Sequence, residues 1–290
     1  MSDPMTRDSE ASRASMDPVL RLSALLMVIK GVTSAVASQV LIIPAGLILL
    51  SPRHLRSRAA WWSLTAIVVI GSCWYWYDVG NHNWVIMAWI IGCALAVSRD
   101  DTEHMLRTNA KTMLAIVFIA GGLQKLILGA WHNGLFLELY ASRNPWTAEL
   151  FGFTELGRQQ FLAVQLLIRT GIIEESAFYL TSTDSTRVWL VIISWITVLA
   201  EVGIGALFVL RSSPRTILWR TSGLLAFIWL VYPFAPVTGF AWILLILTAA
   251  TLPSESTALR RACWISLGWV IFCPYINDAD EIVERIARYF

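Results

Sequence analysis

Apolar runs separated by short arginine-bearing loops fill most of the chain from residue 33 onward. Eight of them, at 33–50, 61–77, 84–97, 113–131, 188–210, 223–236, 237–252 and 262–276, approach the ~20 residues that cross a bilayer as helix. The pattern predicts an all-α polytopic transmembrane bundle of about eight spans. Residues 19–29 are apolar as well, interrupted by Arg21 and ended by Lys30. They fit an interfacial helix or one half of a tight hairpin with the next span.

Charge gives the runs an orientation. Arg53, Arg56 and Arg58 share one loop; Arg107 and Lys111 another; Arg211, Arg215 and Arg220 a third; Arg260 and Arg261 a fourth. Alternating spans put all four loops on one side, which the excess of basic residues in cytoplasmic loops makes the inner one. Residues 132–187 then lie outside. Within them GRQQFLAVQLLIRTGIIEESAFYL (157–180) has both ends on the same side and reads as an amphipathic segment along the outer surface. The chain divides into a polar, disordered tail at 1–18, a membrane domain at 19–276 and a short acidic outer-side tail at 277–290.

Composition agrees with the pattern: 57% of the 290 residues are hydrophobic and 14% charged, against about 25% charged in soluble domains, and the mean hydropathy is +0.62. The expected location is a multi-pass protein of a bacterial inner membrane, with the lipid bilayer as its surroundings. A net charge of +2 gives no reason to expect a nucleic-acid partner. Four scattered histidines and four cysteines without a C-x-x-C pair predict no metal site and no thiol redox motif.

Against this background three polar groups stand out. Lys125, one of three lysines among 22 basic residues, is the sole charge in MLAIVFIAGGLQKLILGAW (113–131). An ammonium in hydrocarbon costs about 3 kcal/mol or more, so it needs a partner, a wet cavity or a chemical task. A lysine that snorkels to the interface past Trp131 is the structural alternative. Asn81 and His82 open the span GNHNWVIMAW (80–89), with Trp84 as an anchor; a helix cap is the alternative there. Glu201, in SWITVLAEVGIGALFVL, is an intramembrane carboxylate for which Lys125 or Arg169 would be the partner. Small Ala120, Gly121 and Gly122 beside Lys125 allow a neighbouring helix to approach closely.

Taken in order, NHNWVIMAWIIG, IVFIAGGLQKLILGAWHNG, LAEVGIGALFVL and YPFAPVTGFAWILLIL resemble the HTTM domain. That is the membrane portion of vitamin K-dependent γ-glutamyl carboxylase and its bacterial relatives, and the resemblance covers residues 40–255. It implies an intramembrane lysine, here Lys125, that deprotonates a reduced quinone, with Asn81 and His82 orienting groups near the quinone pocket. Glu201 would be the charge partner, and Trp84 and Trp131 would contact the cofactor. The sequence departs from the family by one extra residue between lysine and tryptophan, and by Trp229 where many members carry histidine.

The leading expectation is therefore a carboxylase-like or quinone-linked membrane enzyme that binds a quinone or similar lipid-like molecule. Two other readings fit the same residues. One is a non-enzymatic membrane partner or immunity-type subunit, bound to another protein; the other is a small transporter, with helices broken near Pro44, Pro233 and Pro236.

Overall fold

The computed structural model describes residues 4–33, 36–74, 81–127, 129–134, 136–137, 184–232 and 238–277. The amphipathic outer segment 157–180, Arg169 and the acidic tail at 278–290 lie outside them. Among the described residues every regular element is helical. In chain order these are α1 (Pro4–Thr33), a 3-10 helix (Val36–Leu41), α2 (Ile42–Leu50), α3 (Pro52–Leu55), α4 (Arg58–Trp74) and α5 (Asn81–Val97). There follow α6 (Thr102–Ile127), α7 (Gly129–His132), α8 (Asp184–Val209), α9 (Pro214–Val231), α10 (Thr238–Thr251) and α11 (Thr257–Asn277).

Local chemistry sets several of these boundaries. Ser51-Pro52 and Ser213-Pro214 each place serine at the cap and proline at the first helical position, where its missing N–H is no loss. At α9 the Ser213 hydroxyl accepts from the Thr216 N–H at 3.2 Å, and Thr216 Oγ1 returns the contact to the Ser213 N–H at 2.7 Å. In α1, Met16, Val19, Leu20, Ser23, Ala24, Leu26 and Met27 are buried at helical spacing. Helix α1 begins at Pro4, so it takes in most of the stretch read from the sequence as a disordered tail. Once residues 16–27 dock, the helix extends from a nucleus that packing has already formed.

The middle of the bundle is α10. Nearly all of its side chains, from Ala241 to Leu252, are buried. It packs on α1, α5, α6 and α11 and is hydrophobic all round, as a helix enclosed by others must be. Around it the outer helices turn apolar side chains outward: Ile43, Leu50, Ile70, Trp74, Ile127, Leu199, Trp219, Leu230 and Ile265 are all exposed.

Among the described residues two helices, Thr102–Ile127 and Thr186–Val209, are long and apolar enough to cross a membrane by themselves. This corrects the expectation of about eight such spans. Each of the eight apolar runs carries a helix, but α4 and α5 have 17 residues and α10 has 14. At 1.5 Å per residue the last is roughly 21 Å long, short of the ~30 Å hydrocarbon layer. Others are interrupted by charge: Arg215 and Arg220 in α9, Arg260 and Arg261 in α11.

The four basic loops meet at one end of the bundle. Arg56 and Arg58 share a pocket with Arg99 and Glu103, and Glu103 pairs with Arg107. The Arg107 charge acts on both Arg220 and Arg260, and Lys111 donates to the Leu210 carbonyl at 2.7 Å.

Helices α6 and α8 form the most extensive helix pair. They meet through glycine: a Cβ at Gly205 would lie 2.9 Å from the Ile119 backbone nitrogen, and one at Gly122 would lie 2.6 Å from Val202 Cγ2. A Cβ at Gly203 meets nothing within 4 Å. Gly205→Ala is therefore expected to cost about 1–3 kcal/mol through overpacking, lowering the melting temperature in detergent. Gly203→Ala is expected to leave it unchanged or raised, since removing a mid-helix glycine favours the helix.

Candidate functional site

The closely packed α6–α8 pair brings two charges together away from water. Lys125 projects from the last turn of α6 and Glu201 from the middle of α8, and the ammonium donates to the Glu201 Oε1 oxygen in a salt bridge. The Glu201 side chain is 9% exposed and that of Lys125 19% exposed, so the pair is screened little by solvent. Among the described residues the second carboxylate oxygen, Glu201 Oε2, is buried without a hydrogen-bond partner. Lys125 Nζ also sits 4.4 Å from the centre of the Trp131 ring, a cation–π contact.

Trp131 reaches that position because the chain turns sharply after α6. The Gly134 N–H donates to the Trp131 carbonyl at 3.3 Å, and Gly134 has a positive φ of 74°. A Cβ there would come within 2.9 Å of the Val191 backbone nitrogen on α8, so glycine is required for both conformation and clearance. The turn stacks Trp131 on Phe136 at 4.2 Å between ring centroids, while His132 stacks on Trp195 at 5.2 Å.

Lys125, Glu201 and Trp131 line one cavity of about 570 Å³. Its other walls come from α8, α9 and α10 and include Thr197, Phe227, Tyr232 and Phe240. The surface is overwhelmingly apolar, with the ion pair its one charged feature among the described residues. The Tyr232 hydroxyl accepts from the Ala241 N–H at 3.2 Å, which ties the end of α9 to α10. A chamber of this size, apolar with a few converging polar groups, has the character of a small-molecule site.

Three residues singled out in the sequence, Lys125, Glu201 and Trp131, thus meet at one place. The others do not join them there. His82 lies in the first turn of α5, where the charge of Lys30 acts on it, and is not part of the cavity wall. Trp84 is also absent from that wall and is 37% exposed. The Asn81 side chain lies outside the described residues. Trp229 packs between α9 and α11, stacked on Trp269 at 4.8 Å and donating to Ser266 Oγ at 2.9 Å.

Sequence reasoning missed a second polar contact between helices: Lys30 of α1 hydrogen-bonds Asn83 of α5 beside Gly239 of α10. The rarity of lysine in this chain was the available signal. Tyr232, Phe227 and Phe240 carried none, because aromatic residues in an apolar run look alike until neighbouring helices select which of them face a void. Comparison with family profiles, with curated proteins and with solved structures gives no match.

Removing Lys125 alone leaves a buried carboxylate without its counter-ion. Lys125→Met is expected to destabilise the chain by about 3 kcal/mol or more in thermal unfolding, and Lys125→Met/Glu201→Leu to recover most of the loss. Equal stability of the single and double variants would show that the two charges are not coupled.

Proposed function

We propose that the chain is a polytopic helical membrane protein whose cavity receives a quinone or a similar ring-bearing lipid, with Lys125 and Glu201 handling a proton at its head. The observation that carries the reading is the buried ion pair on the wall of an otherwise apolar chamber, with one carboxylate oxygen still unpartnered. Membrane insertion is supported by the outward-facing Ile, Leu and Trp side chains of α2, α4, α6, α8, α9 and α11, since extensive exposed apolar patches mark interaction with lipid or partners. Helices α6 and α8 would cross unaided, and the shorter apolar helices would cross as members of the bundle. Convergence of the basic loops at one end supports a cytoplasmic orientation for that end, with the cavity toward the other face of a bacterial inner membrane.

The lining residues fit a reduced quinone. When bound, such a molecule supplies a weakly acidic phenolic hydroxyl. Lys125, held by Glu201 at the cavity wall, would be the base toward that hydroxyl. Glu201 Oε2 offers a second acceptor nearby. Trp131, Phe227 and Phe240 supply flat apolar surface for a ring and its tail. The resemblance to the HTTM domain supports the same role for Lys125, and the cavity assigns no part to His82 or Trp84.

A second reading has its own support. The ion pair bridges the most extensive helix contact in the bundle, where it would serve only as a lock in a partner subunit. The two readings separate by ligand binding. In lipid nanodiscs the chain is expected to bind a reduced long-chain naphthoquinone, and Ala226→Trp, which fills the cavity, to weaken that binding at least tenfold. His82→Ala is expected to leave it unchanged. Binding that ignores Ala226→Trp, or no binding at all, favours the lock.

A further inference from the structure

Starting at the end of the bundle opposite the cavity, a groove of about 830 Å³ runs along one face of α6. Its α6 wall repeats at helical spacing, from His104, Arg107 and Lys111 at the polar end to Ile116, Ile119 and Leu123 at the apolar end. From Lys111 to Leu123 the helix rises roughly 18 Å at 1.5 Å per residue. The opposite wall is Phe208, Val209 and Ser212, at and just beyond the end of α8. One end therefore offers cations and hydroxyls, while the rest offers a long hydrocarbon track.

The polar end carries positive charge that the described residues do not neutralise. Glu103 pairs with Arg107, but among the described residues no carboxylate pairs with Lys111 or Arg220. The Arg220 charge acts on Lys111, and the Arg107 charge acts on Arg220. Arg220 is 1% exposed, stands over the Phe208 ring at 5.3 Å and donates to Ser212 Oγ at 3.3 Å. Its Nε is buried without a hydrogen-bond partner. Lys111 spends one donor on the Leu210 carbonyl, at the C-terminal end of α8, and has two more. A buried guanidinium and an adjoining ammonium without counter-ions among the described residues call for an anion from elsewhere.

We propose that this groove is a binding site for an anionic phospholipid, with the headgroup phosphate at Lys111 and Ser212 and one acyl chain along Ala115, Ile116, Ile119 and Leu123. Arg220 acts from behind, holding the Ser212 hydroxyl and adding a second positive charge. The apolar track selects a lipid over a free phosphate ion, and the net positive end selects an anionic headgroup over a zwitterionic one. The site rests on the membrane reading given above but not on the cavity or on Lys125.

The test uses the full chain. Alkaline extraction of membranes first asks whether the chain is integral; recovery in the soluble fraction overturns both the membrane reading and this site. The detergent-purified protein is then exchanged against phosphatidylglycerol or phosphatidylcholine, and retained lipid is measured by native mass spectrometry with and without millimolar inorganic phosphate. Phosphatidylglycerol is expected to be retained in preference, and added phosphate to leave it in place. Lys111→Gln, which keeps an amide donor for Leu210, is expected to lower phosphatidylglycerol retention about fivefold, the attraction of one basic residue for anionic headgroups. Lys111→Arg is expected to restore it, and Lys125→Met to leave it unchanged. Equal retention of the two lipids, displacement by phosphate, or indifference to Lys111→Gln would overturn the site in a chain that is nonetheless integral.

Discussion

A carboxylate and an ammonium held together between two apolar helices constrain everything around them. Glu201 and Lys125 can lie on facing helices only if α6 and α8 approach closely, which Gly122 and Gly205 permit by removing the side chains that would keep the backbones apart. The pair in turn fixes the register of those two helices, because sliding either by one turn would leave a charge facing hydrocarbon. Where α8 then parts from α9 and α10, the space is not filled, and the cavity forms with the ion pair already in place.

The distribution of apolar residues gives the fold its second constraint. The central helix α10 is enclosed on all sides and so carries no polar face, while the helices around it are apolar inward and outward alike. In such a bundle the hydrophobic effect does not rank the faces of the outer helices. Their orientation falls instead to close packing and to a few polar ties: Arg21 to the Leu49 carbonyl at 2.6 Å, Trp89 to Ser23 Oγ at 2.8 Å, Lys30 to Asn83, and Lys125 to Glu201. All three lysines of the chain serve as such ties, the third through the Leu210 carbonyl.

Much of this was legible in the sequence. The helices of the apolar runs lie where those runs placed them, though the polar start of α1 at Pro4 was not foreseen, and the basic loops that signalled one side do gather at one end. Lys125 and Glu201 were recognisable as charges out of place, and their pairing was one of two partnerships open to Glu201. What could not be read was the depth of each helix. Short runs such as 237–252 look the same whether they face lipid or other helices, and α10 proved to be enclosed. That His82 does not line the cavity with Lys125 has a related reason. Both lie near the ends of apolar helices, yet His82 lies on α5, beside the Asn83 that bonds Lys30 of α1, while Lys125 pairs with Glu201 on α8.

By itself the sequence determined that helix forms in the apolar runs, which residues are too polar for their surroundings and which loops carry like charge, because these depend on composition over a few turns. Only the tertiary structure decided which of those polar residues meet, which aromatic rings line a void and where, among the described residues, two cations have no acid beside them. Such outcomes depend on the angles and separations of helices distant in the chain, and a local pattern carries no information about them.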